Sequence, residues 1–226
     1  MSHLLRIELP DVPGSLGSVA SAIGLAGGNI DAIEIVEHRA DGSAIDDVFV
    51  ELTGTVMPDM VVSAVQKLEG VHVLWVSRYA AGGNLHLDLE AMEMITEDPA
   101  NAVEQLTALV PRTFRSDWAM VAELRGPTLH CVASTDSAPD LPDEVRAWLP
   151  IKDAHRPKAG RWPGWADSEV AAAPLGWGER MVVFGRHGGP EILDSELARL
   201  GYFAALTASI EAAAAASAED EVVHAV

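Results

Sequence analysis

Asp11-Val12-Pro13-Gly14-Ser15-Leu16 is the stretch that decides the fold of the N-terminal part. Before it, Leu5, Ile7 and Leu9 alternate with Arg6 and Glu8, the period of a strand with one buried face. After it, Leu16, Val19, Ala20 and Ile23 recur at helical spacing and predict a helix with one apolar side. Gly27-Gly28 ends that helix, because glycine enters the left-handed region at a helix terminus without steric cost. A second strand is predicted over residues 29–37, and Asp41-Gly42 turns the chain toward a third. There Val48, Val50 and Leu52 alternate with Phe49 and Glu51. Met57-Pro58-Asp59 opens another helix, with Val61, Val65 and Leu68 on one face and Gly70 at its end. Residues 71–76 make the last strand.

The order β-α-β-β-α-β is the split βαβ, or ferredoxin-like, arrangement. In it, the bend at residues 11–16 joins a strand to a helix. Such a helix start leaves backbone N–H groups without partners, and its dipole favours an anion. Pro13 presets the bend, and Gly14 lets a ligand approach the backbone closely. Asn29, at the start of the next strand, offers both a donor and an acceptor. An α-amino acid needs that combination: donors for its carboxylate, an acceptor for its ammonium. The competing reading is purely local, with Pro13-Gly14 only making the turn and Asn29 only capping the chain as it leaves the helix.

Asp-x-Pro-Gly-x-Leu-x-x-Val over residues 11–19, followed by Gly28-Asn29-Ile30, resembles the ACT domain over residues 3 to about 78. The ACT family consists of small regulatory modules, many of which bind amino acids between two copies. The resemblance implies a ligand touching Asp11, Val12, Pro13, Gly14, Ser15 and Leu16 of one copy, with Asn29, Ile30 and Asp31 supplied by the other. A homodimer follows as an expectation, since a four-stranded sheet leaves edge strands to be covered.

Ala80-Ala81-Gly82-Gly83-Asn84 looks like a linker. Beyond it, residues 85–114 are predicted to be helical, with Pro99 starting a new helix after a break. Residues 118–124 and 128–134 predict strands joined at Arg125-Gly126-Pro127, and 141–149 a short helix. A long loop over 150–167 is followed by strands near 169–174 and 180–186, hinged at Gly176-Trp177-Gly178. A long alanine-rich helix over 193–216 completes the pattern. Ala171-Ala172-Ala173-Pro174-Leu175-Gly176, Met181-Val182-Val183-Phe184-Gly185-Arg186 and Pro190 to Leu197 resemble the end of a GAF domain, with Ile192 or Leu193 where that family often has phenylalanine. GAF domains are sensor or dimerisation modules. The chain thus divides into an ACT-like domain at 1–79, a linker at 80–87, a GAF-like domain at 88–216 and a flexible tail at 217–226. The fold class is α+β, with a ferredoxin-like βαββαβ domain preceding a GAF-like α/β sensor domain with flanking helices.

Composition narrows the function. The 226 residues carry a net charge of −19, which opposes binding to nucleic acid or to an anionic membrane surface. Both parts are acidic, −7 over the first 78 residues and −12 over the remainder. No basic N-terminal region precedes a long apolar run, and no uninterrupted apolar stretch is long enough to span a bilayer, so a cytoplasmic protein is expected. Cys131 is the single cysteine, which excludes paired-thiol chemistry within one chain and is read as a buried, inert thiol. The eight histidines are scattered without metal-ligand spacing, and no metal or other cofactor is expected.

One basic segment interrupts the acidic background: Arg146, Lys152, Arg156, Lys158 and Arg161 interleave with Trp148, Trp162 and Trp165. It is read as a solvated loop whose tryptophans pack onto the sheet and whose cations pair with the acidic surface. A lip capturing an anionic or aromatic partner, and a cover over a GAF-type pocket, are the alternatives. The function expected from the sequence is therefore a non-catalytic regulatory protein that binds a small amino acid. Its GAF-like part would dimerise or sense a second ligand, and its output would pass to a separate protein. The alternative is an ACT-regulated enzyme with an unrecognised active site in the C-terminal half.

Overall fold

The computed structural model describes residues 2–52, 54, 56–78, 83–158, 160 and 162–224. The chain forms two compact units, residues 1–83 and 84–226. Of the predicted linker, residues 80–82 lie outside the described residues, and residue 83 onward is helix.

In the first unit the elements are β1 (Ser2–Pro10), α1 (Ser15–Leu25), β2 (Gly28–His38), β3 (Ser43–Leu52), α2 (Pro58–Val65) and β4 (His72–Arg78). The strands form one antiparallel sheet in the order β2-β3-β1-β4. This is the ferredoxin-like arrangement the alternation predicts. Leu5, Ile7 and Leu9 of β1, and Val48 and Val50 of β3, meet Val19 and Ile23 of α1 and Val61 and Val65 of α2 in one core. Glycine is required where α1 turns into β2. A Cβ on Gly28 would lie 2.7 Å from a Val50 methyl and 2.8 Å from one of Ile23, while Gly27 adopts φ +91°.

The second unit comprises α3 (Gly83–Glu97), a 3-10 turn (Pro99–Asn101), α4 (Ala102–Phe114), β5 (Trp118–Arg125), β6 (Thr128–Ser134), a second 3-10 turn (Asp143–Trp148), β7 (Ser168–Pro174), β8 (Arg180–His187) and α5 (Asp194–His224). Its antiparallel sheet has the order β6-β5-β8-β7. Both faces are covered. On one, Leu106, Val110 and Phe114 of α4 and Leu200, Phe203 and Ala204 of α5 pack on Val121, Val182 and Phe184, with Phe114 stacked on Phe184 at 5.2 Å between ring centres. On the other, the segment from Val145 to Trp165 folds down over Trp118, Met120, Ala172 and Val183.

Trp165 is fully buried there. It meets Trp118 edge-on at 4.7 Å and donates its indole N–H to the carbonyl of Asp140 at 2.9 Å. This is the solvated-loop reading of the basic segment. Arg146 donates to the carbonyl of Pro127, Arg156 pairs with Asp194, and Arg161 lies outside the described residues.

Two expectations are corrected. Cys131 is exposed rather than buried, because β6 is the outer strand of the sheet and nothing among the described residues covers its side chain. The region expected to be a frayed tail continues α5 as helix to His224, as its alanine content favours. Among the described residues, the stretch Asp194–Ser217 of α5 is long and apolar enough to cross a membrane by length and composition. Its Leu197, Leu200 and Phe203 are buried in the core of the second unit.

Candidate ligand-binding site

The sequence singled out two groups of residues, and the structure places them at opposite ends of the first sheet. Asp11, Val12, Pro13 and Gly14 form the exposed bend after β1, and Ser15 and Leu16 begin α1 half-buried. Asn29 and Ile30 open the outer strand β2, opposite Glu51 and Val50, and Asp31 is the extra residue of a β-bulge. Glu51 is in turn opposite Ser2, while the bend follows Pro10. Eight strand residues at about 3.3 Å each separate the two groups by roughly 26 Å within one copy. Only a second copy can bring Asn29 to the bend.

The bend and the start of α1 are anchored through four of their amides. Asp11 N–H donates to the carbonyl of Gly42 at 2.9 Å, Val12 to Pro10 at 2.9 Å, Ser15 to Val12 at 3.2 Å and Ser18 to Gly14 at 3.0 Å. Gly14 is the N-cap residue at φ +96°, a left-handed conformation that glycine adopts freely. No side chain caps α1, and its first turn contains no acid. The N–H groups of Gly14, Leu16 and Gly17 therefore have no acceptor among the described residues. Three such donors at the positive end of a helix are groups able to meet an anion.

Residues beyond the predicted set complete the surroundings. An open groove of about 420 Å³ runs from Gly14 along α1 past Gly17, Ser18 and Ser21 to Leu25. Its sequence signal is the spacing of small residues on the outer side of the helix. His38, at the end of β2, holds Asp11 through Nδ1 and Oδ2 at 2.8 Å, both side chains remaining largely exposed. Asp46 of β3, opposite Ile7 and Ile35, is buried on the helix-covered face of the sheet. Burial pushes its carboxyl above the usual carboxylate range, with the neighbouring charges of Asp11 and Asp47 acting in the same direction and His38 opposing them. Strand parity was the signal for Asp46, since it shares the face of Val48 and Val50. Among the described residues no cluster of three metal-ligating side chains occurs.

Comparison with known proteins finds a similarity that includes the bend. Residues 3–70 match the ACT domain. A curated relative, NAD-dependent malic enzyme 1 of Bacillus subtilis, is 40% identical over 78 residues, which are 34% of this chain and 18% of the enzyme. The chain thus spans under a fifth of the length of that relative. The solved structures similar to this chain include the GAF domain of a phosphoenolpyruvate-protein phosphotransferase from Coxiella burnetii (TM-score 0.46, 13% identity), covering 61% of this chain and 99% of that one. Another is the free methionine-R-sulfoxide reductase of Neisseria meningitidis (TM-score 0.48, 11% identity), covering 62% of this chain and 97% of that one.

Proposed function

We propose that this chain is a non-catalytic, cytoplasmic regulatory protein whose ACT domain binds a small amino acid between two copies. The observation that carries the proposal is the uncapped start of α1, with the amides of Gly14, Leu16 and Gly17 open in an exposed bend. The roughly 26 Å between that bend and Asn29 in one copy gives the pairing its reason. In a homodimer, Asn29, Ile30 and Asp31 of the second copy close over the ligand held by Asp11–Leu16 of the first. The GAF-like unit then dimerises or senses a second ligand, and the signal passes to a separate protein. Coupling between ligand and arrangement is expected to be on the order of 1–3 kcal/mol.

A thermal-shift screen of the standard amino acids against the intact chain tests this reading. At least one amino acid should raise the melting temperature of the wild type and not that of Gly14→Leu. Light scattering should show a dimer at micromolar concentration, and a strict monomer contradicts the pairing. The match to a stretch of a malic enzyme supports a second reading, an ACT-regulated enzyme with its active site in residues 84–226. Turnover of an amino-acid derivative by the isolated chain would favour it.

A further inference from the structure

An outer strand of a sheet can pair with another chain unless something blocks it, and three of the four outer strands here are blocked. β2 carries Asp31, Glu34 and Glu37, and β4 carries Arg78. The outer edge of β7 is capped by His155, whose N–H donates to the carbonyl of Ala172 at 2.9 Å while the N–H of Ala172 donates to the carbonyl of His155 at 3.0 Å. β6 is the exception. Its sequence, Thr128-Leu129-His130-Cys131-Val132-Ala133-Ser134, contains no lysine, arginine, aspartate, glutamate or proline. Among the described residues it pairs with β5 alone, so its other edge has no backbone partner.

Charge indicates what covers that edge. With a net charge of −19, two copies of the chain repel over most of their surface and approach at least cost along an uncharged strip. The ladder with β5 is regular from Thr128 to Cys131 and shifts only beyond it, so this stretch is a straight edge, with His130 and Cys131 exposed. The two ends of the strand differ in sign. Arg146 donates to the carbonyl of Pro127 at 2.9 Å beside the turn before β6, and Asp136 stands just past the strand's other end, both exposed. Arg125 at the same turn is already paired with Glu123 at 2.6 Å. An antiparallel copy therefore sets each Arg146 end against the other's Asp136 end.

We infer that a second copy of this chain docks along β6, strand against antiparallel strand, and joins the sheets of the two second units into one continuous sheet. The inference develops the pairing proposed for the second unit by naming its surface, and it is independent of amino-acid binding at the bend of the first. Leu129 and Val132 stay packed on their own cores, so the pairing adds backbone hydrogen bonds without unpacking either copy. A two-fold axis through His130 or Cys131 sets the two Cys131 side chains directly opposite or one diagonal apart, with about 5–8 Å between Cβ atoms. Cys131 is the single cysteine, so a link between thiols reports on this contact.

The experiment treats the intact chain at micromolar concentration with a short bismaleimide that spans such a distance, and separates the products under denaturing conditions. Wild type should give a covalent dimer through Cys131. Thr128→Lys/His130→Lys adds charge at two exposed positions of the edge and keeps Cys131. It should melt as wild type does and form the dimer about tenfold more slowly, since like charges repel across an antiparallel pair. Absence of a dimer from wild type overturns the inference. So does an equal rate in the lysine variant, which marks random collision or contact elsewhere. Should the lysine variant fail to fold, residue-resolved hydrogen exchange of wild type decides. The β6 amides not bonded to β5 should be protected at micromolar concentration, and exchange as fast as in an exposed loop overturns the pairing. The thermal shift with amino acids reports on the bend alone, so failure there and failure here are told apart.

Discussion

The starts of α1 and α5 present the same backbone problem and resolve it in opposite ways. At α5, Asp194 and Glu196 lie in the first turn, and Glu196 Oε2 accepts the N–H of Leu193 at 2.9 Å. Glu196 Oε1 accepts from Arg186 at 2.7 Å, and the same guanidinium donates to the carbonyls of Phe114, Arg115 and Pro190. Both members of that pair are buried, Arg186 to 3% and Glu196 to 6% exposure. At α1 there is no acid, no side-chain cap and a glycine at the N-cap. One helix start is closed by the chain's own charges. The other is left for a charge from outside. Closure at α5 pins the ends of α4 and β8 to the helix, so its role is structural, whereas the bend at α1 is held by backbone bonds and the exposed His38–Asp11 contact, none of which uses the open amides.

The largest effect should come from opening the closed site. Glu196→Ala leaves the Arg186 guanidinium buried beside carbonyls only, and about 3–5 kcal/mol of stability should be lost. Urea denaturation followed by tryptophan fluorescence isolates this loss, since five of the six tryptophans lie in the second unit. Trp165→Ala removes the centre of the aromatic cluster with Trp118, Trp148 and Trp162 and should cost a similar 3–5 kcal/mol by the same measurement. Neither variant should change amino-acid binding by the first unit. A loss of binding in either would mean that the two helix starts are not independent.

The two units were unequally legible in the sequence, and the reason is physical. In the first, apolar spacing and glycine punctuation agree at each joint, so the elements around Leu5, Val19, Val48 and Val61 follow from local pattern. The bend was legible because Pro13-Gly14 restricts the backbone to few conformations. Asp46 follows from parity alone, since alternation places it on the face of Ala44, Val48 and Val50 but gives no reason for a carboxylate there. In the second unit the strands were legible, but their lateral order was not. The outer position of β6, which exposes Cys131, is set by contacts distant in sequence. The covering segment from Val145 to Trp165 has no period, and its burial depends on Trp118 across the sheet.

Smaller effects sharpen the contrast at the open site. Gly14→Ala places a Cβ at φ +96°, where no neighbouring atom lies within 4 Å, so the cost is that of the backbone conformation alone. About 1–2 kcal/mol should be lost in the first unit by chemical denaturation followed by circular dichroism. A gentler effect belongs to Asp46. Its carboxyl titrates above the usual range in the folded protein and within it in the unfolded chain, so between those values the folded state binds more protons. Stability of the first unit should therefore fall as pH rises through that window, and Asp46→Asn should remove the slope. The groups whose charges act on it, His38, Asp11 and Asp47, remain in the variant. A stability profile with the same slope in Asp46→Asn would assign the titration to one of them.

The smallest change would convert one helix start into the other. Gly17 is the third residue of α1, the position from which a glutamate reaches back to the N-cap amide, as Glu196 reaches Leu193 at the start of α5. A Cβ at Gly17 meets nothing within 4 Å, so Gly17→Glu introduces no clash. Relief of the helical glycine is worth about 0.5–1 kcal/mol and an acid in the first turn about 0.3–1 kcal/mol, so the variant should be slightly more stable than wild type. The same carboxylate would compete for the amides that a ligand needs. A variant with a raised melting temperature and no response to amino acids is the expected result. Mere damage to the fold cannot produce it, because damage lowers the melting temperature. An unchanged ligand response in Gly17→Glu would show instead that the amides at the start of α1 are not where the ligand's carboxylate rests.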